Sequence, residues 1–191
     1  YAHPNMTQFV TAARRKGARL VVVDPRLSAI ARRADFHANV RPGTDGALAW
    51  GLIHQIVESG AYDKDFVGRH TVGVAKVVDY ARAFTPEAVA GVTGVEADVI
   101  RQLAHDLAAA PTACVYGRIG TTTALYGTLT SWLVDVLNTL TGNLDRPGGA
   151  MFPKAAAGQT NSSGTPGRGR GARFGRWATR VRGMGELFGE L

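Results

Sequence analysis

Two acidic residues stand where a nucleotide can be read. Asp24 closes the apolar, β-branched run Leu20–Val23. A carboxylate at the carboxyl end of a parallel strand faces the ligand crevice, where it accepts hydrogen bonds from ribose hydroxyls. Asp45 follows Arg41-Pro42-Gly43-Thr44 and opens an amphipathic run, so Thr44 or Asp45 is placed to cap a helix. A carboxylate also suits a guanine edge, because it accepts both the ring N–H and the exocyclic amine. A third cluster is Gly117-Arg118-Ile119-Gly120-Thr121-Thr122-Thr123. Its glycines allow the backbone to approach a ligand closely, and Arg118 and the threonines can bond phosphate or ring heteroatoms.

Each cluster also has an ordinary structural reading. Asp24 can simply cap a turn, as in any α/β domain. Asp45 serves equally well as a plain helix cap. A lone G-x-x-G is what a tight turn needs for backbone reasons alone. The combination favours a ligand crevice more than any single residue does.

The elements that must hold these residues follow from periodicity. Asn5–Lys16 reads as a helix with Met6, Phe9, Val10 and Ala13 on one side, ending in cations and Gly17. Leu20–Val23 reads as a buried parallel strand, and Phe36–Val40 as a second extended piece. Between them Leu27–Arg33 is a short helix or turn, and its Arg32 and Arg33 read as a solvated face. Gly46–Glu58 is a helix with the core stripe Leu48, Leu52, Ile53, Ile56 and Val57, and with His54 packed beside it. Asp63–His70, Val74–Phe84, a helix opened by Thr85-Pro86-Glu87 and one from Val95 to about Ala109 form a helical section. Thr112–Tyr116 reads as another buried strand, and Leu125–Leu140 as a long apolar helix capped by Gly142. Helix followed directly by strand at the start implies an earlier strand and loop upstream of residue 1. The fold class is therefore α/β: a parallel, doubly wound Rossmann-like sheet flanked by helices, with a helical insertion and a disordered C-terminal segment.

Composition narrows the classes. Hydrophobic residues make up 45% of the 191, enough for a substantial core. The one cysteine, Cys114, excludes a disulfide framework, a zinc site built on cysteine pairs and a cysteine-ligated iron–sulfur cluster within the chain. It fits a reducing, cytoplasmic setting. No stretch reaches the length of a membrane-spanning helix. The chain opens at Tyr1 rather than at a methionine, and is expected to be a piece of something longer. Residues 1–153 hold 15 basic and 13 acidic residues, whereas residues 154–191 hold 7 and 2. The net charge of +7 thus lies mostly in the tail and does not mark a nucleic-acid-binding face on the body. Residues 155–171 are rich in Gly, Ser, Thr and Pro and read as linker. The arginines after them, interleaved with Phe174 and Trp177, allow RNA binding or packing against a neighbour.

Taken together, HP…RRKGARLVVVDPR, RPGTDGAL, AYDKDFV, TPEAVAGVTGVEADVIRQLA, VYGRIGT and LTGNLDRPGGAMFP resemble the molybdopterin oxidoreductase family, over about residues 1–153. That family includes formate dehydrogenases, nitrate reductases and dimethyl sulfoxide reductases. The resemblance implies a bis-(molybdopterin guanine dinucleotide) cofactor carrying molybdenum or tungsten. It places Asp24, Pro25 and Arg26 at the guanine dinucleotide, together with Gly43, Thr44 and Asp45. Gly117, Arg118, Gly120 and Thr121 are expected nearer the pterin. The family's cysteine-rich iron–sulfur motif and its metal-ligating residue lie upstream of the matched stretch and are absent, and Cys114 is expected inside a buried strand. No catalytic or metal-ligating residue is therefore nominated. The implied whole is a two-electron redox enzyme, nearest formate dehydrogenase and nitrate reductase. This chain would be its cofactor-binding domain (residues 1–153) with a basic Gly/Arg-rich linker or tail (154–191), inactive when isolated. The partners implied are the remaining domains of the same enzyme and an electron-transfer partner that the residues leave unnamed. The alternatives are a redox-inactive nucleotide-binding module of the same fold, or an RNA-associated protein acting through the tail.

Overall fold

The computed structural model describes residues 6–151. Helix α1 (Met6–Arg15) turns through Gly17, at φ 92°, into strand β1 (Val21–Val23). Strand β2 (Phe36–Ala38) pairs with β1 in parallel, Val21 opposite Phe36 and Val23 opposite Ala38. A 3-10 turn, Ala31–Arg33, lies between the strands. The rest is helical: α2 (Asp45–Glu58), α3 (Lys64–His70), α4 (Val74–Ala81), α5 (Pro86–Thr93), α6 (Ala97–Ala109), the single turn α7 (Ile119–Thr122) and α8 (Gly127–Leu140).

Helix α2 is the hub. Leu48, Ala49, Trp50, Gly51, Ile53 and Ile56 are all buried, which is more than one stripe of a helix. The stripe expected from periodicity held Leu52 and Val57, and both are only partly buried. The difference arises because α2 is packed on several sides at once. Ala49, Trp50, Ile53 and Ile56 meet Leu133, Leu137 and Leu140 of α8. Leu48 belongs to a second cluster with Val40, Val89, Ile100 and Leu103. At Gly51 a Cβ would stand 3.1 Å from the Val89 methyls, so the absence of a side chain lets α2 and α5 lie close. Trp50 stacks on Phe84 with ring centroids 5.4 Å apart and meets Trp132 edge-on at 6.4 Å. His54 places Nδ1 2.9 Å from the Ala81 carbonyl oxygen. A carbonyl only accepts, so Nδ1 carries the hydrogen and His54 is a packed residue, as the sequence suggests.

The local signals at helix ends act as expected. Asp63 accepts the Phe66 N–H at 2.9 Å and starts α3. Thr85 accepts the Ala88 N–H at the start of α5, with Pro86 as first residue. Gly142, at φ 66°, follows the end of α8.

Among the described residues the sheet has two strands, so the structure is helix-rich with a small parallel pair. Three expectations need correction. The β1 run is not buried, since Val21 is 37% and Val23 41% exposed. Phe9, expected on the packed side of the first helix, is likewise exposed. Finally, Thr112–Tyr116 joins no sheet among the described residues, and Cys114 within it is exposed.

The physical reason for the last is a pair of buried asparagines. The Ala113 N–H donates to Oδ1 of Asn143 at 3.0 Å, and the Val115 N–H to Oδ1 of Asn138 at 2.9 Å. Nδ2 of Asn138 returns a bond to the Val115 carbonyl at 2.9 Å. Side-chain amides thus take the place of a neighbouring strand. The alternation of an extended chain survives, with Ala113 and Val115 turned inward and Cys114 and Tyr116 outward. Desolvation pushes the Cys114 pKa up, so the group stays a thiol and is a poor nucleophile or ligand. The described residues end at Met151, so the linker and tail expected over residues 154–191 lie outside them.

Two outcomes follow. Asn138→Leu removes the side-chain amide bonds to both backbone groups of Val115 and should cost about 2–4 kcal/mol in chemical denaturation. It should also speed amide exchange at Val115; unchanged exchange there would contradict the strand-substitute role. Ile53→Ala, at a fully buried position, should cost about 2–5 kcal/mol.

Candidate functional site

The first part of the site is built by the end of β1. The Asp24 N–H donates to the Ala38 carbonyl at 3.1 Å, which carries the β1–β2 ladder one residue further. Oδ1 of Asp24 then accepts the Arg26 N–H at 2.8 Å and closes a turn over Pro25. So Asp24 does cap its own turn. Its second oxygen has no hydrogen-bond partner among the described residues. Pro25 and Arg26 are exposed. His37 on β2 has Nε2 2.8 Å from the Asp24 carbonyl oxygen, so Nε2 is the donor and ties the two strand ends together.

The second part is the turn before α2, clamped by α5. Arg41 Nη1 donates to the carbonyls of Gly91 at 2.8 Å and Val92 at 3.1 Å, and the Arg41 N–H donates to Thr93 at 2.8 Å. A cation over the last carbonyls of a helix is favourably placed. Gly43 then turns at φ 80°. The Thr44 hydroxyl donates to the Arg41 carbonyl at 2.8 Å, so it closes the turn and does not cap α2. Asp45 is the first residue of α2, where a negative charge suits the helix dipole. Even so its pKa is raised, chiefly by desolvation, with the negative charge of Asp24 adding to the effect. The fold therefore brings Asp24 and Asp45 near enough to feel each other, and half-buries one of them.

The third part lies along α7 and the start of α8. The expected glycine turn is a short helix. The Thr121 hydroxyl donates to the Arg118 carbonyl at 2.7 Å, and the Thr123 hydroxyl to that of Ile119 at 2.7 Å. Those protons are committed to the backbone, which leaves these threonines as acceptors. Gly117 packs beside Thr121 and Val134, whereas Gly120 has open space where a side chain would be. Arg118 is exposed, its guanidinium 6.0 Å from the centre of the Tyr116 ring. This part connects to the others through α8. A Cβ on Gly46, in the first turn of α2, would stand 2.8 Å from Thr130 Oγ1 in the first turn of α8.

Sequence reasoning missed several residues of this region. Gly127 is where glycine is obligatory, because a Cβ would fall 2.0 Å from the Thr122 carbonyl oxygen. Tyr126 before it is left-handed at φ 63° and 71% exposed. The pair Tyr126-Gly127 ahead of an apolar run was the available signal. Ile119, Leu125, Leu129 and Trp132 are further large apolar groups left exposed on or beside α7 and α8. Among the described residues no group of three or more His, Cys, Asp or Glu is placed to hold a metal ion, and no helix is long and apolar enough to cross a membrane.

Comparison with known proteins bears on what these residues serve. The family profile described as molybdopterin oxidoreductase matches residues 2–175. Formate dehydrogenase H of Escherichia coli is 37% identical over 163 residues, 85% of this chain and 22% of that protein. The thiosulfate reductase molybdopterin-containing subunit PhsA of Salmonella typhimurium is 35% identical over 79% of this chain and 20% of its own length. The assimilatory nitrate reductase of Haloferax mediterranei is 36% identical over 86% of this chain and 22% of its own. Among solved structures, acetylene hydratase from Pelobacter acetylenicus superposes with a TM-score of 0.69 at 30% identity, over 72% of this chain and 19% of that one. The chain spans about a fifth of the length of these relatives. A match across nearly the whole sequence, including Asp24, Asp45 and the α7–α8 region, places the chain in the molybdopterin oxidoreductase family.

Proposed function

We propose that this chain is the part of a molybdenum or tungsten oxidoreductase that holds the guanine dinucleotide portion of a bis-(molybdopterin guanine dinucleotide) cofactor. The observation that carries this reading is Asp45. A half-buried carboxylate, with a second carboxylate nearby and no cation paired to it among the described residues, is costly to keep ionised. Two acceptor-only groups fit a ligand rich in donors, as the guanine edge and the ribose hydroxyls are. They repel phosphate, so the pyrophosphate belongs away from them. Arg26 and Arg118 are exposed cations near these carboxylates' turns and the glycine-containing segment, whereas the Arg41 guanidinium is bonded to the end of α5.

In this arrangement Asp24 and Asp45 hold ribose and guanine. Pro25 and Arg26 continue the turn that presents Asp24. Gly43 and Thr44 shape the turn that presents Asp45. Gly117, Arg118, Gly120 and Thr121 lie toward the pterin, with open space over Gly120 in support. When bound, the metal–pterin group supplies two-electron redox chemistry. The residues of this chain bind and orient its nucleotide end. An iron–sulfur relay and the metal's protein ligand belong to other parts of the enzyme, of formate dehydrogenase or nitrate reductase type.

The same reading accounts for the exposed apolar surface. Val21 and Val23 are half-open, and among the described residues β1 has a neighbour on one edge only. This supports a doubly wound sheet that continues beyond the pair. Large apolar groups left exposed on α7 and α8 support cover by other domains of the same protein. Residues 1–153 are then the cofactor-binding unit, and residues 154–191 a basic linker or tail.

The natively expressed gene product, denatured and assayed, should release both oxidised pterin fluorescence and GMP. Neither being present would instead mean a redox-inactive nucleotide-binding module. Asp45→Ala should lower the cofactor content while the circular dichroism spectrum stays unchanged. Unchanged cofactor content would remove Asp45 from the site. For protein prepared without cofactor the sign is opposite. Because the folded pKa of Asp45 is raised, the ionised form destabilises the fold above that pKa, and the penalty disappears as pH falls below the unfolded value. Asp45→Asn should therefore be more stable than the native residue at pH 7. The gap should close as the pH drops through the raised pKa toward the ordinary carboxylate range, as read by thermal unfolding across pH.

A further inference from the structure

We propose that the cleft at the amino ends of β1 and β2 is a docking surface for an acidic protein partner. It is an open hollow of about 730 Å³ whose lining includes Arg14, Arg15, Arg19, Arg33 and Asp35. In the sequence these cations form two separate runs, Arg14-Arg15-Lys16 with Arg19, and Arg32-Arg33. The fold joins them. Nη1 of Arg14 donates to the Arg33 carbonyl, and Nη2 of Arg14 to Asp35 at 2.6 Å.

The charges in the cleft do not cancel. Asp35 is fully engaged, accepting from Arg14 and, at 2.7 Å, from the Leu20 N–H. Those bonds hold its pKa below the ordinary range, so it is an ionised, spent acceptor. Arg19 is paired with Asp106. The side chains of Arg15 and Arg33 have no ion-pair partner among the described residues, and Lys16 stands beside them, exposed. An unneutralised basic hollow of this kind steers and holds an anionic surface.

The cleft is separate from the cofactor site. Arg19 and Asp35 precede β1 and β2, whereas Asp24 follows β1. Three residues of strand, roughly 10 Å at about 3.3 Å each, lie between the two ends.

The backbone decides which anion fits. A compact phosphate is normally cradled by free N–H groups. Here those of Lys16, Gly17 and Ala18 are bonded to the carbonyls of α1, and that of Leu20 to Asp35. The lining contains no aromatic ring on which a nucleic-acid base can stack. What remains is a set of long cationic side chains spread over an open hollow, which suits several carboxylates on a protein surface.

The test uses the full-length native gene product and a fluorescently labelled poly-L-glutamate peptide, read by anisotropy. Saturable binding is expected, weakening as salt rises. The double substitution Arg15→Glu/Arg33→Glu should weaken it by about tenfold or more. Arg15→Lys/Arg33→Lys should retain most of it. Lys76→Glu, an exposed cation on α4, should leave it unchanged. Neither arginine side chain has an ion-pair partner to lose among the described residues, so circular dichroism of the variants should match that of the native protein. Binding undiminished by Arg15→Glu/Arg33→Glu would overturn the proposal. So would inorganic pyrophosphate or single-stranded RNA binding more tightly than the peptide through the same two arginines. Cofactor content is measured separately, so its absence does not bear on this result.

Discussion

The burial of α2 on several sides is the constraint on which the rest depends. Ile53 and Ile56 are fully enclosed, Gly51 lies against Val89, and Leu48 reaches a second apolar cluster. A helix gripped in this way cannot roll or slide without opening two cores at once. Its amino end is therefore fixed in space, and Asp45 with it. The Arg41 guanidinium, bonded to the end of α5, fixes the turn immediately before. A carboxylate held this firmly can be kept desolvated, and that is what raises its pKa.

The same grip orients α8. Leu133, Leu137 and Leu140 face α2, which leaves Leu129 and about half of Trp132, itself edge-on to Trp50, exposed. The fixed helix also supplies Asn138, which together with Asn143 satisfies the extended segment Ala113–Val115. The core thus decides where the glycine-containing turn at Gly117–Thr121 emerges. Packing, local hydrogen bonding and the placing of the candidate site form one chain of cause, and it starts from the residues of a single helix.

Much of this was legible in the sequence. Helix starts at Asp63 and at Thr85-Pro86, the glycine after α8 and the packed role of His54 each follow from one residue's chemistry. The juxtaposition of Asp24 and Asp45 was legible too, because strand end and helix start each imply a direction. What was not legible depends on long-range context. Whether Val21–Val23 is covered is set by neighbours that periodicity does not see. The run Thr112–Tyr116 has the composition of a strand, and nothing in it reveals that asparagines 23 and 30 residues further on replace a partner strand. The requirement for glycine at 127 arises from contact with Thr122, a matter of how α7 meets α8. The joining of Arg14-Arg15 with Arg33 is likewise a product of strand pairing.

The central claim is that residues 24–26 and 43–45 close on one end of a nucleotide-bearing cofactor. Amide hydrogen exchange compared between cofactor-loaded and cofactor-free protein tests it most directly. The account predicts slowed exchange at Arg26, Gly43, Thr44 and Asp45, with smaller effects along Gly117–Thr121 and none at Lys16–Arg19. Protection confined to other parts of the chain, with residues 24–26 and 43–45 exchanging alike in both states, would contradict it.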